Sequence, residues 1–353
     1  MAKGGATAAT WLRFGATLAL AAGGGLLFLW LSIPLPFMLG SMFCVMAAAL
    51  AGLPMQAPQA IRPPMSVVIG AMLGTSFSPS ILATLPLWIV PLAGLSVFVG
   101  VAAVLCVVLF RRMGNMDLHT AYFAGMPGGL VDMVALADHY GADVRKVALI
   151  HSLRILLIVF SVPLLVEFLS GSEIGAVAPD QVWLRDVGAE FWLWFPPTCA
   201  LGALAGWLLR LPAKYILGPM IVSAAVHLVG WTDYKLPVEM VIVAQVVIGA
   251  TIGTRFVGAP LSLVRSVLPV TLVSAALLLV LTYAFALVLS GITGISAITI
   301  LLSYSPGGFA EMGLVAVALG IETAFVATHH VVRIALVGFG GAVVFRLVDR
   351  GAR

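Results

Sequence analysis

Long apolar runs, separated by short polar breaks, form the main pattern along this 353-residue chain. A run of about 20 apolar residues is long enough to cross the hydrocarbon core of a bilayer as a helix. The pattern predicts five spans in each half, at 14–33, 35–53, 64–80, 86–110 and 147–169, and at 191–210, 215–230, 238–256, 266–290 and 324–345. Acidic residues, Gly and Pro mark 170–190 as the linker between membrane repeat 1 (1–169) and membrane repeat 2 (191–353).

The two halves share sequence blocks at one fixed offset. Met-Pro-Gly-Gly-Leu-Val-Asp-Met at 126–133 matches Ser-Pro-Gly-Gly-Phe-Ala-Glu-Met at 305–312, which lies 179 residues later. Val-Ile-Gly-Ala at 68–71 recurs at 247–250, and the His and Arg at 151 and 154 recur at 330 and 333. Three blocks at the same offset indicate an internal duplication, in which 68–154 and 247–333 align without a gap.

Composition places the chain among integral membrane proteins. Of its residues 62% are hydrophobic and 9% are charged, against roughly 25% charged in soluble domains. The 18 Lys and Arg residues stand scattered between apolar runs, which argues against nucleic-acid binding and indicates topology signals. The three Cys residues have no Cys-x-x-Cys spacing, so we expect neither a disulfide framework nor a zinc site. No cofactor is expected.

Each Pro-Gly-Gly segment interrupts an apolar stretch, because Pro and paired glycines do not continue a regular helix. Such backbone survives at membrane depth where protein buries it or where it lines a wet cavity, so each segment is a re-entrant hairpin or a broken helix. With the N-terminus inside, re-entry places 14 Lys and Arg residues inside and 2 outside, whereas spanning places 10 inside and 6 outside. The positive-inside rule favours re-entry, and therefore two inverted repeats with both termini cytoplasmic.

Paired breaks at corresponding positions of two inverted repeats are typical of the central site of a secondary transporter. Pro127 and Pro306 suit the first helical position and Ser305 is a favoured N-cap, so we predict that a half-helix begins at each Pro. Its free N–H groups, next to glycines that allow close approach, can receive an anionic group. The alternative is that the glycines only let two half-helices cross closely. The glycines concerned are Gly128, Gly129, Gly307 and Gly308.

A carboxylate follows each Pro by five residues, at Asp132 and Glu311. A carboxylate inside a membrane segment costs roughly 2.5–3.5 kcal/mol on insertion scales, which favours a functional role. We predict that these acids bind a coupling ion or a proton. The alternatives are that each acid satisfies the dipole of its own helix, or that it pairs with an Arg.

A histidine and an arginine share one helix face on the last span of each half, as His151 with Arg154 and His330 with Arg333. A buried Arg is expected to need a carboxylate, and the acid of the same or the opposite break is the natural partner. Each Arg therefore either fixes a break to its scaffold or binds a substrate anion.

These duplicated motifs, with Leu39-Gly40 and Leu217-Gly218-Pro219 interpreted as turns near the second span of each half, resemble the bacterial membrane family called AbrB. The resemblance covers nearly the whole chain. It implies an inner-membrane protein of a family labelled as a regulator of gene expression or as an ammonia monooxygenase. The residues supply neither an extramembrane basic domain to hold DNA nor a recurring His cluster suited to copper.

We favour a secondary transporter of a small anionic or zwitterionic solute, coupled to protons or cations. The alternatives are a membrane-embedded regulator and, less favoured, a membrane monooxygenase; we expect no enzyme activity. The expected partners are the lipid bilayer, the solute and its coupling ion, and a homo-oligomer is compatible with the sequence. The candidate substrate- and ion-binding residues are Pro127, Gly128, Gly129, Asp132, His151, Arg154, Pro306, Gly307, Gly308, Glu311, His330 and Arg333.

Overall fold

The computed structural model describes residues 8–57, 59–171 and 182–352. Within these ranges the chain is helical and contains no β-strand, which confirms the all-α class. Six helical stretches are long and apolar enough to cross a membrane by length and composition: Ala9–Trp30, Leu85–Arg112, Val144–Ser170, Val238–Phe256, Leu261–Thr293 and Thr323–Arg346. The described part of the chain is therefore that of a polytopic helical membrane protein.

The order of helices in the first half repeats in the second. The first half contains α1 (Ala8–Trp30), α2 (Pro36–Leu50), α3 (Arg62–Gly74), α4 (Ile89–Arg112), α5 (Leu118–Gly125), α6 (Leu130–His139) and α7 (Val144–Ser170). The second half contains α8 (Ala189–Leu208), α9 (Lys214–Leu228), α10 (Val238–Gly253), α11 (Leu261–Thr293), α12 (Ala297–Tyr304), α13 (Phe309–Ala318) and α14 (Thr323–Ala352).

Each predicted span coincides with a helix, but three of these helices are too short to cross a membrane on their own. Helices α2, α3 and α9 have 15, 13 and 15 residues, below the roughly 20 residues of a full crossing. Pro36 fixes the first turn of α2, and Gly52, with a φ of +83°, lies just beyond its last turn. The expected turns at Leu39-Gly40 and Leu217-Gly218-Pro219 are wrong, since both segments lie inside helices.

The predicted linker begins where α7 ends. Gly171 closes α7 in the left-handed region, with a φ of +65°, and α8 begins at Ala189. Residues 172–181, which include two of the four acidic residues of the predicted linker, lie outside the described residues.

The chain divides into two compact units, and each unit combines helices from both halves. Unit 1 comprises Met1–Pro79, Ser172–Ala259 and Ala318–Gly320, and unit 2 comprises Ser80–Gly171, Pro260–Val317 and Ile321–Arg353. Unit 1 thus holds α1–α3 with their counterparts α8–α10, and unit 2 holds α4–α7 with α11–α14. The compact units therefore cut across the two sequence repeats.

Unit 1 is built by close backbone approach at glycines. Helix α3 packs on α9, and its counterpart α10 packs on α2. A side-chain carbon on Gly249 of α10 would fall 2.5 Å from the carbonyl oxygen of Met38, and one on Gly70 of α3 would collide with the carbonyl oxygen of Ile216. Small residues at such positions let two helices pack closely inside a membrane.

Gly249→Val is expected to destabilise unit 1 by about 1–3 kcal/mol, because the added side chain meets rigid backbone that cannot move aside. Gly100→Val on α4 is the matched control, since nothing lies within 4 Å of a side-chain carbon at Gly100. The measurement is the thermal unfolding midpoint of each purified variant. Equal midpoints for the two variants would show that close helix approach does not limit stability.

Unit 2 contains both Pro-Gly-Gly segments, each between two short helices. We call α5, residues 126–129 and α6 hairpin 1, and we call α12, residues 305–308 and α13 hairpin 2. Helix α4 packs on α5 and α11 packs on α12, while α7 contacts both helices of hairpin 1. The arms have 8 and 10 residues in each hairpin, or about 12 and 15 Å of helix, so no arm alone crosses a membrane.

Candidate functional site

The break in hairpin 1 is held by His151 and Arg154, which lie buried on α7. Nε2 of His151 is 2.8 Å from the carbonyl oxygen of Phe123. The Arg154 guanidinium donates to the carbonyl oxygens of Ala124, Gly125 and Met126 at 3.2, 3.4 and 2.8 Å. Four consecutive carbonyl groups at the end of α5, which have no partner within the helix, are thereby satisfied by one His–Arg pair.

Hairpin 2 repeats this arrangement with the equivalent residues. Nε2 of His330 is 3.1 Å from the carbonyl oxygen of Leu302. Arg333 donates to the carbonyl oxygens of Ser305 and Gly307 at 2.5 and 2.8 Å. His330 is fully buried and Arg333 is 5% exposed. The duplicated His–Arg pair is therefore a structural element of each break.

The expected pairing of each Arg with a hairpin acid is wrong. Among the described residues, neither Asp132 nor Glu311 forms an ion pair, and each guanidinium points to backbone carbonyls instead. The physical reason is that the C-terminal end of a helix carries partial negative charge and unpaired carbonyl groups, which a planar guanidinium with several donors satisfies well. Each Arg therefore fixes its break to the last helix of the same half.

The second arm of each hairpin begins later than the sequence suggested. Gly129 is the N-cap of α6, and α13 begins at Phe309, so neither Pro127 nor Pro306 is the first residue of a helix. Ser305 caps the end of α12, and its hydroxyl donates to the carbonyl oxygen of Leu301 at 2.7 Å. The predicted N-cap role of Ser305 is therefore wrong. Both Pro-Gly pairs form the non-helical tip between the arms.

The two acids lie in the first turn of α6 and α13, and their carboxylates fold back over the last glycine of the tip. A side-chain carbon on Gly129 would fall 2.9 Å from Oδ2 of Asp132, and one on Gly308 would collide with Oε2 of Glu311. An acid in this position faces the free N–H groups and the positive end of its own helix. The site predicted to receive a foreign anion is thus already covered by the protein's own carboxylate.

The equivalent acids differ in burial. Glu311 is 8% exposed, whereas Asp132 is exposed. The same contrast runs along the arms, because α13 is buried from Phe309 to Ala316 while in α6 only Met133 and Ala137 are buried. The two hairpins therefore have the same local geometry in different surroundings.

Both tips lie against the same stretch of α14. The carbonyl of Gly307 accepts from Arg333, and a side-chain carbon on Gly128 would fall 2.7 Å from Cγ1 of Val337, which is one helical turn further along. Unit 2 thus brings together the candidate residues of both repeats. The sequence alone shows only that these residues are equivalent, not that they lie close together.

Sequence reasoning missed the aromatic contacts that join the end of α14 to hairpin 1. The Tyr122 hydroxyl donates to the carbonyl oxygen of Gly341 at 2.7 Å. The ring of Phe345 lies within about 5 Å of the rings of His119, Tyr122, Phe123 and Tyr140. Phe345 has no aromatic counterpart in the first half, where position 166 is Val, so the duplication gave no signal.

Among the described residues, no three His, Cys, Asp or Glu side chains are grouped as ligands for a metal ion. A family model described as "Transition state regulatory protein AbrB" matches residues 37–349. The chain belongs to the AbrB family. It is 28% identical over 323 residues to "Putative regulator AbrB" of Escherichia coli (strain K12), covering 91% of this chain and 92% of the relative. It is also 28% identical over 284 residues to "Uncharacterized protein YhjN" of Bacillus subtilis (strain 168), covering 77% of this chain and 74% of the relative.

Proposed function

We propose that this AbrB-family protein is a secondary transporter of the bacterial inner membrane, which moves a small anionic or zwitterionic solute with proton or cation coupling. The observation that carries the proposal is the pair of equivalent broken helices in unit 2, each with a His–Arg pair at one arm and an acid at the other. Helices broken at corresponding positions of two repeats are the usual site of solute and ion binding in such transporters.

The position of the acid supplies a coupling mechanism. The ionised carboxylate of Glu311 covers Gly308 and the first turn of α13, where the N–H groups of the helix point. A solute anion would compete with that carboxylate for the same N–H groups. Protonation neutralises the carboxylate and leaves these groups to the solute, so proton and anion bind together. Binding of one then strengthens binding of the other by the same factor.

Transport is tested with purified protein reconstituted in liposomes, using electrical recording on supported membranes while a panel of small carboxylates and amino acids is applied in turn. We expect a current for at least one solute, and we expect an inward proton gradient to increase its uptake. The control is the same liposomes prepared without protein, which should give no solute-dependent current. The absence of solute-dependent current across the whole panel would count against transport.

The same proposal predicts which loops lie on each side of the membrane. Cysteines placed at 111–118 and at 346–353 are expected to react with a membrane-impermeant thiol reagent from the cytoplasmic side, and cysteines at 170–190 and 291–295 from the outside. The reason is the bias of Lys and Arg toward one side of the membrane. The measurement is labelling in intact cells against inside-out vesicles. Labelling of 170–190 from the cytoplasm would contradict the inverted arrangement.

A regulatory role is the second candidate, and the name of the Escherichia coli relative, "Putative regulator AbrB", favours it. A regulator acts through a partner, whereas a transporter moves solute without one. Solute uptake by the purified protein alone therefore separates the two candidates, because a protein that only regulates would show none.

A further inference from the structure

The strongest unused feature of unit 2 is a buried ring nitrogen of His330. Nε2 of this ring lies 3.1 Å from the carbonyl oxygen of Leu302. A carbonyl oxygen only accepts hydrogen bonds, so Nε2 carries the hydrogen and Nδ1 presents its lone pair in the neutral ring. Nδ1 is buried and has no hydrogen-bond partner among the described residues. Leaving such an acceptor unmatched is unfavourable, which points to a donor from outside the chain.

The first repeat shows what this nitrogen can receive. His151 has the same orientation, with Nε2 on the carbonyl of Phe123, but its Nδ1 is 2.9 Å from Nη2 of Arg154. A guanidinium only donates, so Nδ1 of His151 acts as an acceptor. The duplicated histidine is therefore built to accept a hydrogen bond at Nδ1, and in repeat 1 an Arg of the protein supplies it.

In repeat 2 the equivalent Arg has a different set of partners. Arg333 donates to the carbonyl oxygens of Ser305 and Gly307, which places its guanidinium further into the tip than that of Arg154. Nδ1 of His330 is left to another donor. The groups around the ring are Arg333 and His329 on its own helix, the Leu302 carbonyl of α12, and the ring of Phe309, whose centroid is 6.2 Å away.

Phe309 is the first residue of α13, directly after Gly308. The ring of His330 therefore lies near the start of α13, at the break whose N–H groups the proposed function assigns to the solute anion. We infer that His330 determines solute specificity, by accepting at Nδ1 a hydrogen bond from an ammonium or hydroxyl group on the transported acid. The solute class is then amino acids or hydroxy acids rather than simple carboxylates. This inference rests on the proposed function of the same site.

The test uses matched acids that differ only in the donor, namely propionate, lactate and alanine, and succinate, malate and aspartate. The readout is the ¹⁵N signal of His330 Nδ1 in purified wild-type protein labelled at histidine, assigned with His330→Gln. We expect at least one donor-bearing acid to move this signal, and its donor-free partner to leave it in place. The signal of His151, whose Nδ1 is taken by Arg154, is the internal control and should not move.

A second measurement compares binding. His330→Gln keeps an N–H for the Leu302 carbonyl, but its acceptor is an amide oxygen at the ε position and not at the position of Nδ1. The variant is therefore expected to remove a preference of about tenfold for donor-bearing over donor-free acids, the value of one good hydrogen bond. His139→Gln, at an exposed position on α6, is the control and should keep the preference. If His330→Gln does not fold, the wild-type signals decide, with the His330 signal assigned by elimination through substitution of the other five histidines.

The inference is overturned if no donor-bearing acid moves the His330 signal, or if donor-free acids move it equally. Those results would not contradict transport itself, because the vesicle assay can still detect uptake of a simple carboxylate. Conversely, a His330 signal that responds to a donor-bearing acid, in a protein that shows no uptake, would support the binding site and reject transport.

Discussion

Arg154→Met is expected to abolish correct folding of hairpin 1, and no change at Asp132 is expected to restore it. The substitution leaves the carbonyl groups of Ala124, Gly125 and Met126 without the guanidinium that now donates to them. Each buried carbonyl left unpaired costs about 1–3 kcal/mol, and few water molecules are at hand in a membrane interior to replace the lost donor. The measurement is the yield of monodisperse protein and its thermal unfolding midpoint.

Three variants make this result specific. Arg145→Met, on the same helix but exposed, should behave as wild type. Arg154→Lys should be intermediate, because one ammonium keeps the charge but cannot match the planar fork of donors. Arg154→Met combined with Asp132→Asn separates the two explanations, since an ion pair would make the double variant more stable than Arg154→Met alone. Such rescue would contradict the role assigned here to the carbonyl groups.

The class and the order of helices could be predicted because they follow from apolar run length and from the repeated sequence. The breaks were predicted for the same reason, since Pro127-Gly128-Gly129 does not fit a continuous helix. The partner of Arg154 could not be predicted. Every residue has a backbone carbonyl group, so the sequence does not show which carbonyl groups will bind an Arg. Carboxylates can be identified from the sequence, and they were therefore the expected partners.

Close glycine contacts join α1 to α2 and, equivalently, α8 to α9, and the spacing of these glycines is a repeat signal in the sequence. Gly24 and Gly40 meet at close backbone distance, as do Gly202 and Gly218. These pairs are related by an offset of 178 rather than 179, so one residue must be inserted between the aligned blocks. A search that permits a single insertion extends the duplication into α1 and α8.

The difference in burial between Asp132 and Glu311 also could not be predicted from the sequence, because it depends on which helices pack around each hairpin. Asp132 and Glu311 occupy equivalent positions in equivalent motifs, and their neighbours along the chain are similarly apolar. The two copies of a duplicated site therefore need separate tests, and the acids provide the most direct one.

Glu311→Gln is expected to remove proton-driven uptake, by at least about tenfold, while exchange of solute across the membrane continues. The amide has the shape of the acid but does not titrate, so it no longer links a proton to the release of the N–H groups of α13. Because Arg333 is matched by carbonyl groups and not by Glu311, the substitution leaves no unpaired buried cation, and the protein should fold. The measurement is uptake and counterflow in reconstituted vesicles with and without a proton gradient.

Asp132→Asn is the matched variant in the other repeat. Asp132 is exposed at the protein surface whereas Glu311 is buried, so neutralising Asp132 should alter the interior of unit 2 less and should reduce proton-driven uptake less than Glu311→Gln does. The ratio of driven uptake to counterflow is the quantity to compare, since it cancels differences in the amount of inserted protein. An equal loss in both variants would show that burial does not distinguish the two acids. Full proton-driven uptake by Glu311→Gln would show that this carboxylate takes no part in coupling. Its role would then be to interact with the N-terminal end of α13.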